Sequence, residues 1–179
     1  MSRYEECLKY ILKQEGGYVN NPFDRGGATN YGITQRVYNN YLTKCQLPLR
    51  SVAEIDMHEV STIYQQEYWD KCHCSNIPIP LDILVMDSAV QHGVSRASRW
   101  LQRCVGANQD GSIGDKTIYA LHTYVVDKKL QEVINKYLSL RTSFYTQIIK
   151  NDPTQQRFEK GWKNRMDHLL REIGKLNER

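Results

Sequence analysis

Between positions 15 and 33 the chain runs Glu-Gly-Gly-Tyr-Val-Asn-Asn-Pro-Phe-Asp-Arg-Gly-Gly-Ala-Thr-Asn-Tyr-Gly-Ile. Two carboxyls, Glu15 and Asp24, stand with eight residues between them, and Thr29 follows close behind. A carboxylate at the last turn of a helix opposes the partial negative charge of that terminus. Glu15 also continues the apolar stripe of Tyr4, Leu8 and Ile11, so its side chain is expected to be partly desolvated. Both placements disfavour the charged form, as a general acid requires if it is to hold its proton until a leaving group takes it. Asp24 lies beside Arg25 in a polar, turn-forming stretch where water and backbone donors keep it ionised. Two carboxyls in opposite environments are the equipment of glycoside hydrolysis. One protonates the glycosidic oxygen, and the other activates water or stabilises the oxocarbenium ion. Thr29 can orient that water, Gly26 and Gly27 let backbone approach a sugar, and Tyr18 and Tyr31 offer flat faces for stacking. On spacing alone the segment also fits an ordinary helix end and hairpin with no chemistry.

The elements that must position these groups follow from periodicity. Apolar residues at i, i+4 and i+7 predict a first helix from Tyr4 to Glu15, stopped by a left-handed cap at Gly16-Gly17. Glycines, Pro22 and turn-forming polar residues from Tyr18 to Ile33 predict a small hairpin or three-stranded sheet. Thr34 and Asp56 are N-cap residues for the next two helices, the second carrying Val60, Ile63, Tyr64 and Tyr68. Helices are expected over about 82–92, 95–105, 116–124 and 127–150. Asp152-Pro153 interrupts the pattern, and a last helix runs toward Leu176 on a stripe of Phe158, Trp162, Met166, Leu169, Leu170 and Ile173. The glycine-rich turn 106–114 is the one internal seam.

At 179 residues the chain can bury a core without staples, and 40% hydrophobic with 25% charged residues is the balance of a globular protein rather than a disordered one. No apolar run approaches a membrane span, so stable membrane insertion is not expected. Acids stand near the start where a signal peptide would be apolar. This predicts a cytoplasmic protein without a signal peptide, reaching the periplasm or cell wall only on release. Five cysteines, Cys7, Cys45, Cys72, Cys74 and Cys104, form no framework and are expected as free thiols. Cys72-His73-Cys74 is too tightly spaced for a zinc knuckle, so no metal is expected. A net charge of +4, spread along the chain, argues against a nucleic-acid partner.

The segment Glu15-Gly16-Gly17, Asp24-Arg25-Gly26-Gly27-Ala28-Thr29 and Gly32-Ile33 resembles the signature of glycoside hydrolase family 108, phage endolysins with N-acetylmuramidase activity. The resemblance continues. Asp87 to Gly93 with Gln91 and His92, Ala97, Leu101-Gln102, Asp110 to Thr117, Arg141, Tyr145, Phe158 and Gly161-Trp162 with Arg165 are similar to the predicted peptidoglycan-binding region that accompanies such domains. It implies an α+β, mostly helical, lysozyme-like fold, organised as a single domain over 1–179. Within it, a catalytic part at 1–94 is followed by a helical peptidoglycan-binding part at 95–179 packed against it. Catalysis is implied for Glu15, Asp24 and Thr29, and substrate contact for Tyr18, Gly27, Tyr31, Gln91 and His92, with no cofactor. The expected substrate is the β-1,4 bond between N-acetylmuramic acid and N-acetylglucosamine in peptidoglycan glycan strands. The expected protein is a monomer released by a holin. A lytic transglycosylase and a non-catalytic peptidoglycan-binding module are the alternatives. The later motif residues each have a structural alternative: Asp110-Gly111 as a turn, Trp100 and Trp162 as core, Asp87 as a satisfied buried carboxylate, His92 as a packed ring.

Overall fold

The fold is that of a computed structural model, which describes residues 1–20, 27–126 and 130–177. The chain divides into two compact units, Met1–Glu67 and Tyr68–Arg179. In the first, α1 (Arg3–Leu12) opens on a capping box in which Ser2 and Glu5 satisfy each other's backbone N–H groups. Its buried face is Tyr4, Cys7, Leu8, Tyr10 and Ile11. The helix ends earlier than the expected Glu15, at Leu12, with Lys13 right-handed at the C-cap. Gly16 and Gly17 are absent from the positive-φ positions and so do not supply the left-handed cap expected of them. A last turn nevertheless continues, with the Gln14 and Glu15 amides both donating to the Ile11 carbonyl.

A two-stranded antiparallel hairpin follows, β1 (Thr29–Asn30) and β2 (Ile33–Thr34), with Thr29 opposite Thr34 and Asn30 opposite Ile33. Val19 adds an isolated bridge to Thr29, which makes the sheet three-stranded at one position. The register leaves a two-residue loop, Tyr31-Gly32, with φ of 50° and 74°. Positive φ at both residues is the type I′ turn, whose twist matches that of the strands. Thr34 then caps α2 (Gln35–Lys44), and Asp56 caps α3 (Met57–Tyr64) with Glu59 completing a second capping box. The Tyr4 hydroxyl donates to the Ser61 carbonyl, joining α1 to α3. Asn30, buried, donates to the Val52 carbonyl at 3.2 Å and fixes the hairpin to the short 3-10 turn Val52–Glu54. A π-helical turn, Gln65–Trp69, carries the chain into the second unit.

That unit is helical: α4 (Leu81–His92), α5 (Val94–Val105), α6 (Asp115–Val125), α7 (Leu130–Asn151) and α8 (Glu159–Asn177). The expected start of α7 at Asp127 lies outside the described residues. Helix α4 is buried along every residue from Leu81 to Ala89 and packs against α5, α7 and α8. Its one acid in mid-helix, Asp87, is fully buried between Arg141 of α7 at 2.6 Å and Arg165 of α8 at 2.8 Å. Burial alone would raise this carboxyl, but the two guanidinium groups overcome that and lower it. Gln102 of α5, also buried, is the hub of the next turn. Its amide nitrogen donates to Asp110 Oδ1, the Ser112 carbonyl and Thr117 Oγ1, while its oxygen accepts from the Gly111 amide at 3.0 Å.

Candidate active site

Glu15 follows the end of α1 and is half-buried, in contrast with the fully buried Ile11 a turn earlier. Its carboxylate is turned toward the type I′ loop. A Cβ on Gly32 would lie 2.9 Å from Glu15 Oε2 and equally 2.9 Å from the Tyr64 hydroxyl. That hydroxyl donates to the Tyr31 carbonyl at 2.8 Å. Only glycine satisfies both constraints at position 32, the left-handed backbone and the space taken by the acid and the phenol. The hairpin turn and the acid are therefore built against each other, and α3 supplies the brace through Tyr64. The sequence placed Tyr64 only on an apolar stripe. Its hydroxyl, at the wet end of a buried ring, is what that pattern could not reveal.

Thr29 is half-buried in β1 and is held by two backbone bonds to Val19, each 2.8 Å. Tyr31 is half-buried in the loop, Tyr18 is 47% exposed, and Gly27 is exposed with φ of 69° and open space where a side chain would stand. Asp24 and Gly26 lie outside the described residues. Glu15, Tyr18, Gly27, Thr29 and Tyr31 thus all belong to the first unit and sit on or beside one small sheet.

Gln91 and His92 end α4 in the second unit, both half-buried. The His92 ring is surrounded by Trp100, Phe144 and Tyr145, with centroids 5.2–5.4 Å away, and its Nε2 meets the Tyr145 hydroxyl at 3.0 Å. Burial, and then the nearby Arg141 charge, push its pKa down to about 3, against a smaller pull from Asp87 in the other direction. A histidine so held is neutral throughout the working range of most enzymes. It is placed to pack and accept or donate one hydrogen bond, not to shuttle protons.

The other chemistry-bearing sequence features are structural here. Cys72 and Cys74 are buried while His73, left-handed at φ 49°, is exposed between them. Among the described residues no group of three or more His, Cys, Asp or Glu side chains could hold a metal. All five cysteines are free, and only Cys45 is exposed. No helix among the described residues is long and apolar enough to cross a membrane.

A helix delivering an acid to a small β element, followed by a helical body, is the lysozyme-like arrangement. Residues 8–93 match the family Glycosyl hydrolase 108, and residues 96–167 match the Predicted Peptidoglycan domain. The chain thus carries a glycosyl hydrolase 108 region followed by this peptidoglycan domain. Among solved structures it is similar to SagA of Brucella abortus, with 29% identity and a TM-score of 0.75 over 97% of this chain and 94% of that one. No curated protein matches it at a significant level. Family and accompanying domain together make this a glycoside hydrolase directed at peptidoglycan.

Proposed function

We propose that the chain is an N-acetylmuramidase that cleaves the β-1,4 bond between N-acetylmuramic acid and N-acetylglucosamine. Glu15 is the general acid. The observation that carries this reading is the packing of its carboxylate against Gly32, which fixes the acid beside the hairpin. Asp24, by the family resemblance, supplies the second carboxyl that activates water or stabilises the oxocarbenium ion. Thr29, with its backbone pinned to Val19, orients that water. Tyr18 and Tyr31 stack on sugar rings, Gly27 admits the glycan backbone, and Gln91 and His92 contribute to substrate binding. The biological setting that fits is a phage endolysin acting as a monomer on the wall after holin-dependent release.

The test is Glu15→Gln, which preserves size and hydrogen bonding but has no proton to give. Clearing of purified cell walls is expected to slow roughly 100-fold or more, the usual worth of general acid catalysis, with the fold retained by circular dichroism. A variant that clears walls at the parent rate removes Glu15 from the mechanism. Mass spectrometry of the products settles the reaction type. Reducing N-acetylmuramic acid ends support hydrolysis, and 1,6-anhydro ends replace it with a lytic transglycosylase.

A further inference from the structure

Helix α5 begins at Val94 and places Arg96, Arg99 and Arg103 on one outward face, at spacings of three and four residues. The three line a single pocket of about 380 Å³ together with His92, Ser95 and Trp100. Like charges so spaced repel one another, and no ion pair among the described residues takes up any of the three. Arg141, Arg165 and Arg50 each have a carboxylate partner. Asp110 accepts from the Gln102 amide at 2.7 Å and the Ser112 amide at 2.9 Å, and the Arg99 charge acts on it only as a lesser influence, without an ion pair.

Two of the three guanidinium groups are nevertheless held in place. Arg96 lies 4.1 Å over the Phe144 ring, a cation–π contact. Arg99 donates its Nε to the Gln109 carbonyl at 3.3 Å, which leaves its Nη pair for a bidentate acceptor. The turn beyond is shaped to this end. Gly111 has φ of 84°, and a Cβ there would strike Ser95 Oγ and approach the Arg99 guanidinium at 3.3 Å. Trp100, half-buried, closes one wall with apolar surface, and His92 adds a neutral ring rather than a fourth charge. Guanidinium groups held around a pocket without an ion-pair partner are an anion site.

We propose that this pocket binds a free carboxylate of the peptidoglycan stem peptide. This deepens the wall-directed reading above and rests on it. The Predicted Peptidoglycan domain spans 96–167 and so contains all three arginines. In peptidoglycan the sugars are neutral where the lactyl group is in amide linkage, and the negative charge resides on the peptides. A domain that grips the polymer through three arginines therefore reads the stem and not the glycan. The hydrolase region and this pocket would contact different chemical parts of one substrate.

The test is calorimetric titration of the full chain with the monomeric N-acetylglucosaminyl-N-acetylmuramyl tetrapeptide, which lacks the bond proposed for cleavage. The expected result is binding that weakens with added salt. It should weaken roughly tenfold or more in Arg99→Gln and again in Arg103→Gln, the scale of a charge-assisted hydrogen bond, with unchanged melting temperatures. The same muropeptide with its carboxylates amidated, and the peptide-free disaccharide with its lactyl carboxyl amidated, should bind no better than those variants. Equal binding of the amidated ligand, no effect of the two substitutions, or no binding of the tetrapeptide at millimolar concentration each overturns the assignment. Binding of inorganic phosphate or wall teichoic acid that the substitutions abolish, without tetrapeptide binding, transfers the pocket to wall phosphate and also overturns it. The readout does not depend on turnover. Loss of tetrapeptide binding with Glu15 intact, or an unimpaired Glu15→Gln enzyme that still binds the tetrapeptide, therefore identifies which of the two readings has failed.

Discussion

Gly32 is where the backbone and the acid constrain one another most closely. A side chain at φ 74° costs about 1–3 kcal/mol by itself, and a Cβ within 2.9 Å of both Glu15 Oε2 and the Tyr64 hydroxyl must displace one of them. Gly32→Ala is therefore expected to lower stability by at least that amount in denaturant unfolding, and to slow wall clearing because the acid is pushed off its position. Gly17→Ala is the control. Nothing lies within 4 Å of its would-be Cβ, and its melting temperature should stay within about a degree or two of the parent. If Gly32→Ala melts and clears walls as the parent does, the turn does not place Glu15. At this scale the sequence was legible in part. Glu15 and Gly32 belong to one local pattern, whereas Gly16-Gly17 was read as a cap although the helix had already ended at Leu12. Helix boundaries depend on which carbonyls find partners, and here the Ile11 carbonyl takes both the Gln14 and Glu15 amides without any glycine.

Among the elements, the junction of α4, α5 and α7 carries the clearest consequence for pH. His92 keeps its proton off down to about pH 3 in the folded protein, against an ordinary value near 6.5. Below 6.5 the unfolded chain takes up a proton that the folded one refuses. The stability associated with neutral His92 is therefore complete above about 6.5 and declines as the pH falls toward 3. Thermal melts at pH 7.5 and pH 5 should show the midpoint falling with acid. His92→Gln, which can still meet the Tyr145 hydroxyl, should lose stability at neutral pH through the missing ring contacts yet show a shallower fall. An unchanged slope in the variant would assign the acid sensitivity elsewhere. The helices themselves could be read from caps and stripes: Thr34 and Asp56 cap where their side chains predicted. The bonds between helices could not. Asp87 meets Arg141 and Arg165 across 54 and 78 residues of sequence, and no local periodicity records such a pairing. Sequence reasoning reached only as far as a satisfied carboxylate inside an apolar run.

For the molecule as a whole, the boundary between the two matched families falls between residues 93 and 96, whereas the compact units meet between Glu67 and Tyr68. The two divisions disagree over α4, which the first assigns to the hydrolase region and the second to the helical unit. Cutting the chain after Val94 would strip α4 of α5, α7 and α8 and leave Asp87 without either arginine. We expect the fragment 1–94 to melt without cooperativity or to aggregate, and the fragment 68–179 to keep a cooperative helical melt by circular dichroism. A well-folded 1–94 that clears walls would make the family boundary a folding boundary too. Burial of α4 along its length from Leu81 to Ala89 has one more consequence, visible in deuterated water. Its amide hydrogens have no local opening available that would not also dismantle the helices around them. They should be among the last in the chain to exchange, at a rate that tracks global unfolding and so reports the stability of the second unit directly.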